Sequence, residues 1–213
     1  MGKIDTETKA FMSNPASFAD AFNYLIYGGQ PVIRPEDLKP LDTTEIAIPY
    51  GNNIRAHKQK YRDVLKLLTA MQDGEAIYAV VGVENQSFVH YAMPVKTMDY
   101  DATSYVEQVI AAKRSYVKEG KLTSEEFLSG FRKGDKLMPV ITLVIYFGAS
   151  EWDGPMRIHD MLNTKNERLL RFVPDYRINL IAPAQVPDED LKSSARISGT
   201  CCNSSSVPGT KKI

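Results

Sequence analysis

Apolar positions near the start of the chain recur at helical spacing. Residues 5 to 13 fit one short helix and Pro15 interrupts it. Ser17 is placed to cap a second helix, FADAFNYLIY, which Gly28-Gly29 stops. Phe18, Ala21, Phe22 and Leu25 share one side of that second helix, so it packs on something. A Pro-punctuated link follows. TTEIAIPY then reads as a short strand ended by Pro49, and GNNIRAHKQK, residues 51 to 60, as an exposed polar and basic loop.

Between Arg62 and Gln86 two apolar runs flank QDGE, and Asp-Gly is the strongest short-range hairpin signal. Both faces of this pair carry apolar residues, which places its strands inside a sheet rather than at an edge. The stretch from Met93 to Gly120 predicts a long crossover helix. Pro94 suits its first turn, Gly120 its C-terminal cap, and Val95, Met98, Ala102, Tyr105, Val109 and Ala112 form its apolar stripe. Thr123 to Glu126 is a capping-box pattern opening a further short helix. KLMPVITLVIYFG has the character of a strand buried on both faces, WDGPMRIHDML reads as turn then helix, and RINLIAP as a last short strand. The order predicts an α/β fold with a mixed central sheet flanked by helices.

Composition adds boundaries. A chain of 213 residues builds one ordinary domain, and 43% apolar with 24% charged residues is typical of a soluble globular protein. Lys+Arg and Asp+Glu stand equal at 26 each, which argues against coating DNA by bulk charge and leaves room for a local basic groove. No apolar run reaches a membrane span and the N-terminus lacks a signal-peptide layout, so the expected location is cytoplasmic. Met1-Gly2 with Thr6 matches a myristoylation motif only weakly. The adjacent Cys201 and Cys202 support neither a disulfide framework nor a zinc site, and His57, His90 and His159 have no metal-ligand spacing.

Candidate chemistry comes from the hairpin. A two-residue turn at Asp73-Gly74 pairs Gln72 with Glu75 and, counting outward, Asp63 with Glu84. The two carboxylates then stand about 5 Å apart on one face, and Gln86 shares that face because strand side chains alternate. Opposed carboxylates in a sheet repel, and desolvation raises the cost unless a cation is present. Mg²⁺ relieves it, since it prefers carboxylate and water oxygens and can activate water beside a phosphate. Phosphodiester hydrolysis is one reaction class that fits. The plainer alternative is that Asp63 pairs with a neighbouring cation or caps the strand, with Glu84 and Gln86 solvated at the strand ends.

At these residues the chain resembles the PD-(D/E)XK nuclease core, where an Asp on one strand precedes Glu-x-Lys or Glu-x-Gln on the next. Further stretches are similar to the Rpn family of recombination-promoting nucleases (putative transposases). They are Arg62-Asp63, GVENQ from Gly82, MPVK from Met93, Tyr100, Asp101, Tyr105 and Gln108, PVITLVIYFG from Pro139, FADAFN from Phe18 and WDGP from Trp152. The resemblance spans residues 5 to 192 and implies a restriction-endonuclease-like core that cuts DNA with Mg²⁺. It implies that Asp63 and Glu84 bind the metal, that Gln86 stands in the usual lysine position, and that Asp5 is the acidic residue of the first helix, with Glu7 a weaker substitute. Gln can only donate and accept hydrogen bonds where lysine supplies a cation, so activity supported by another base, or a catalytically inactive DNA- or protein-binding relic, is the rival reading. An unrelated structural α/β module with surface carboxylates is a second rival. Cutting both strands calls for two sites, which makes a homodimer plausible.

Other residues carry weaker signals. Lys113 and Arg114 read as a solvated helix end, Tyr100 and Tyr105 as packing, and Asp101 as a cap or tether at the helix start. From Ser193 to Ile213 the chain loses periodicity and gains Ser, Gly and Cys. A flexible tail accounts for this. So does a frameshift: Ser194–Gly199 read one base earlier encodes F/L-R-T-D-L-G, and that frame continues with apolar residues at helical spacing.

Overall fold

The computed structural model describes residues 3–40, 44–47, 58–61, 64–72, 75–119 and 122–185, by backbone alone at 3–6, 44–47, 58–61, 64–72, 75–82, 84, 85, 119 and 185. The segment 193–213, expected as an aberrant tail, lies outside the described residues. Two helices open the chain, α1 (Lys3–Ser13) and α2 (Pro15–Tyr27). A five-stranded sheet follows, in the order β1 (Leu38–Pro40), β4 (Val64–Gln72), β5 (Glu75–Gln86), β6 (Val140–Tyr146), β7 (Asn179–Ile181). The β1–β4 and β4–β5 pairs are antiparallel, and β5–β6 and β6–β7 are parallel, so the sheet is mixed. A separate antiparallel pair joins β2 (Thr44–Ala47) to β3 (Lys58–Tyr61). Helices α3 (Met93–Glu119) and α4 (Ser124–Ser129) lie between β5 and β6. Among the described residues, no helix is long and apolar enough to cross a membrane.

The sheet separates two apolar layers. Val83, Leu143, Ile145 and Ile181 pack against Met12 of α1 and Phe18, Ala21 and Phe22 of α2. Phe18 and Phe22 are fully buried and stacked, with ring centroids 4.9 Å apart. Their neighbours in strand parity face the other way: Val144 packs with Met93 of α3 and Ile178, beside Trp152, Met156 and Tyr176. The five C-terminal residues of β6 are all buried, as a strand covered on both faces requires.

Several expectations are corrected in detail. Asn14, not Ser17, caps α2: its side chain accepts the Ala16 N–H at 2.9 Å, and Ser17 is buried inside the helix. Pro15 has no N–H to satisfy and a φ preset for the first helical position, which moves the cap one residue before it. Gly28 ends α2 as expected, at φ 59°. Residues 58–60, read as loop, belong to β3 and pair with β2, while 51–57 lie outside the described residues. WDGPMRIHDML forms only a 3₁₀ turn, Ile158–Met161. Asp160 accepts the N–H groups of Met156 and Arg157 (3.1 and 3.2 Å), and a carboxylate that captures local amides competes with a longer helix.

The largest correction concerns α3. Val95 and Met98, expected on its packed stripe, are exposed, as is Ala102. The buried positions at the start of the helix are instead Met93, Thr97, Tyr100, Asp101, Thr103 and Ser104, largely polar. Polar groups can be buried there because they find partners: Thr97 donates its hydroxyl to the Met93 carbonyl of its own helix at 2.9 Å, and β6 serves Asp101, as described below. The capping box at α4 is present as read, Thr123 Oγ1 accepting from Glu126 N–H and Glu126 returning the bond to Thr123 N–H at 3.1 Å.

Candidate active site

The hairpin register is the one expected from the Asp-Gly turn. It runs unbroken from Gln72↔Glu75 to Val64↔Val83, with β4 and β5 both central in the sheet. Asp63, one residue before Val64, lies outside the described residues. Glu84 is placed by its backbone opposite Val144, and Gln86 opposite Tyr146. Gln86 is half-buried, and its carbonyl accepts the Phe147 N–H at 2.8 Å, holding β5 to β6 at the C-terminal end of both strands. Asp5 is placed by its backbone on α1, which packs on β4 and β5. That helix meets the sheet on the side of Val83, and positions 84 and 86 have the opposite parity.

Two loops converge where β5 and β6 end. Tyr91 donates its hydroxyl to Asp153 at 3.1 and 3.2 Å from the two carboxylate oxygens. That bond uses the neutral phenol, and with the carboxylate charge it pushes the Tyr91 pKa up. Trp152 stands edge-on to Tyr146 at 5.3 Å, and its indole N–H donates to Gly154 at 3.0 Å. The Tyr146 hydroxyl bonds Ser150 Oγ at 2.8 Å. Gln86 therefore ends its strand opposite Tyr146 of the Tyr146–Trp152 pair, with Phe88 and Tyr91 exposed on the loop that follows. Clefts at the carboxyl ends of parallel strands are where open α/β sheets bind ligands.

A row of α3 side chains fixes the neighbouring strand; the sequence offered Asp101 as a cap or tether and Tyr105 only as packing. Gln108 clamps Met138, accepting its N–H at 2.7 Å and donating to its carbonyl at 3.1 Å. The Tyr105 hydroxyl accepts the Val140 N–H at 3.1 Å. Asp101 is buried and accepts hydrogen bonds from the Thr142 hydroxyl at 2.5 Å and the Tyr176 hydroxyl at 2.6 Å. It tethers the helix to β6 rather than capping its start. The signal for it was Thr142, a lone hydroxyl in an apolar run, which when buried needs a partner.

The remaining candidates fall into place simply. His159 packs with its Nε2 2.8 Å from the Val173 carbonyl and its Nδ1 3.6 Å from Asp175. Lys113 and Arg114 are exposed on α3, as expected of a solvated helix end. His57 lies outside the described residues. Among the described residues, no three His, Cys, Asp or Glu side chains are grouped to hold a metal ion.

Comparison with known proteins supplies the family. Residues 33–204 match the family model described as "Putative transposase, YhgA-like". No curated protein and no solved structure matches the chain. The matched residues include positions 63, 84, 86, 101, 142 and 176 and begin after α2. The chain belongs to this YhgA-like transposase family.

Proposed function

From this membership, which supports a transposase-like function, we propose that the chain is a Mg²⁺-dependent DNA endonuclease of the recombination-promoting type with a restriction-endonuclease-like core. The observation that carries the reading is the bulge-free β4–β5 register. Continued by one pair, it would set position 63 across from position 84, with 86 of the same parity. The donor set is all oxygen, which suits Mg²⁺ rather than a softer ion. Asp63 and Glu84 would hold the ion. When bound, it supplies an activated water and offsets charge on the scissile phosphate.

Gln86 has a separate task. Its amide would orient a water or phosphate oxygen by hydrogen bonding without adding charge, where a lysine would supply a cation. Asp5 completes the acidic cluster from α1. Because α1 packs on the opposite-parity side of β5, Asp5 would have to reach the cluster around the strand end. DNA is the substrate, and a homodimer would bring two such sites to the two strands.

The test is nicking of supercoiled plasmid with Mg²⁺, with EDTA as a control, beside Asp63→Ala/Glu84→Ala and Asp5→Asn variants. Metal-dependent nicking lost in the double variant and only reduced in Asp5→Asn is the expected result. A folded wild-type chain that neither nicks DNA nor takes up Mg²⁺ in a calorimetric titration would leave the rival that Gln86 favours, an inactive binding relic of the same fold.

A further inference from the structure

Between Asp153 and Ile178 the chain leaves the sheet and returns as an arm. Its stem is a short antiparallel ribbon: Ile158 N–H donates to the Tyr176 carbonyl at 3.0 Å, Ile178 N–H to the Met156 carbonyl at 2.9 Å, and Arg157 bridges Arg177. Arg157 binds Asp160 at 3.1 Å and Asp175 at 3.5 Å, and His159 closes on Val173 and Asp175. The root is fixed beside the candidate site, by Tyr91 to Asp153 on the loop after Gln86 and by Tyr176 to Asp101 on α3.

The tip is equally ordered. Asn166 caps the turn α5 (Glu167–Leu170) through the N–H groups of Arg168 and Leu169, and Phe172 and Val173 N–H groups bond back to Leu169 and Leu170. This frame points unusual residues at solvent. Phe172 is 89% exposed and Leu169 54%, beside exposed Lys165, Arg168 and Arg171. Among the described residues, no carboxylate lies within ion-pairing range of those three cations, whereas the stem's Arg157 is fully engaged. A hydrogen-bonded support that carries three exposed cations close in sequence to an exposed aromatic ring has the chemistry of a nucleic-acid contact.

We propose that the tip of this arm is a DNA-binding element: Lys165, Arg168 and Arg171 meet backbone phosphates, and Phe172 stacks on an unpaired base. The inference rests on the nuclease reading for its partner and deepens it by naming how the DNA is held. It is tested by anisotropy of labelled single-stranded and duplex oligonucleotides, in EDTA, on the full chain across a salt series. Arg168→Ala/Arg171→Ala should weaken both ligands and lower the slope of log affinity against log salt by about two. Phe172→Ala should lose roughly 5- to 100-fold for the single strand with the slope unchanged, and Phe172→Trp should restore it. Thermal melting verifies that these surface variants fold.

Variants that bind as tightly as a DNA-binding wild type overturn the proposal, and so does a folded wild type that binds no DNA. Loss of self-association with DNA binding intact also overturns it, assigning the tip to a second copy of the chain. Plasmid nicking separates this result from the catalytic reading. A wild type that nicks while its tip variants bind normally sinks the arm alone, and a wild type that never nicks while its tip variants bind weakly sinks the catalysis alone.

Discussion

Asp101→Ala tests whether α3 is docked on the sheet through its buried carboxylate. The carboxylate accepts two short hydrogen bonds, from Thr142 and Tyr176. A net hydrogen bond to a charged group contributes about 1.5–3 kcal/mol, and a buried donor left without an acceptor costs about 1–3 kcal/mol. The two partners differ in what they can recover. Tyr176 is half-buried and turns its hydroxyl to water, whereas Thr142 is 1% exposed and cannot. The sum is therefore less than two full bonds, roughly 2–4 kcal/mol, against a total stability of about 5–15 kcal/mol for an ordinary domain.

The assay is urea unfolding followed by the chain's single tryptophan, Trp152, which stands against Tyr146 on the same layer of the fold. The midpoint should fall with the slope unchanged. Thr142→Val removes the donor from the other side, and the two substitutions together should cost less than their sum, because the second removes a bond already lost. A shift below about 0.5 kcal/mol for Asp101→Ala, or strict additivity in the double variant, would refute the docking argument.

Three further outcomes follow. In Gly148→Ala the new methyl would overlap the ring of Tyr146, which is 1% exposed and cannot swing away; Trp152 fluorescence should change and nicking should fall, since Tyr146 pairs with Gln86. Gln86→Lys should raise the nicking rate by placing a cation beside the phosphate, and an unchanged or lower rate would show that the amide does more than substitute for it. The Glu126 carboxyl lies below the usual range, chiefly through the Thr123 N–H, with Lys133 N–H and the Arg132 charge adding to it. A lowered folded pKa contributes stability above the unfolded value of about 4.3 that disappears as pH falls through the folded one, so the melting-temperature gap between wild type and Glu126→Gln should close in acid; a gap that stays constant on acidification would sink the assignment.

What was legible in the chain was local. The Asp-Gly turn fixed a two-residue connection, and with a side-chain period of two that set every pair from Gln72↔Glu75 to Val64↔Val83. The double-glycine stop of α2, the Thr123 capping box and the two-faced burial of β6 were legible for the same reason, since each depends on a few neighbours. What was not legible depended on distant partners. Residues 58–60 became a strand only because β2 offers its backbone, and polarity alone argued for a loop. The candidate site was legible as a pairing, but its surroundings were not: Asp153 meets Tyr91 from 62 residues away along the chain.

The inverted polarity of α3 shows most clearly how tertiary partners override a hydrophobic stripe. One helical turn rises about 5.4 Å and two strand residues span about 6.6 Å. A helix running against an extended segment thus presents a side chain near every second strand residue. Asp101, Tyr105 and Gln108 take up that rhythm at Thr142, Val140 and Met138. Once those polar contacts occupy the sheet-facing side, Val95 and Met98 are rotated outward, whatever their hydrophobicity. The arrangement costs apolar burial and gains register: a Leu stripe could slide along β6, whereas three hydrogen-bonded stations admit one alignment. Because β6 carries Val144 and Tyr146 directly opposite Glu84 and Gln86, that alignment also sets the position of the strand on which the candidate site leans.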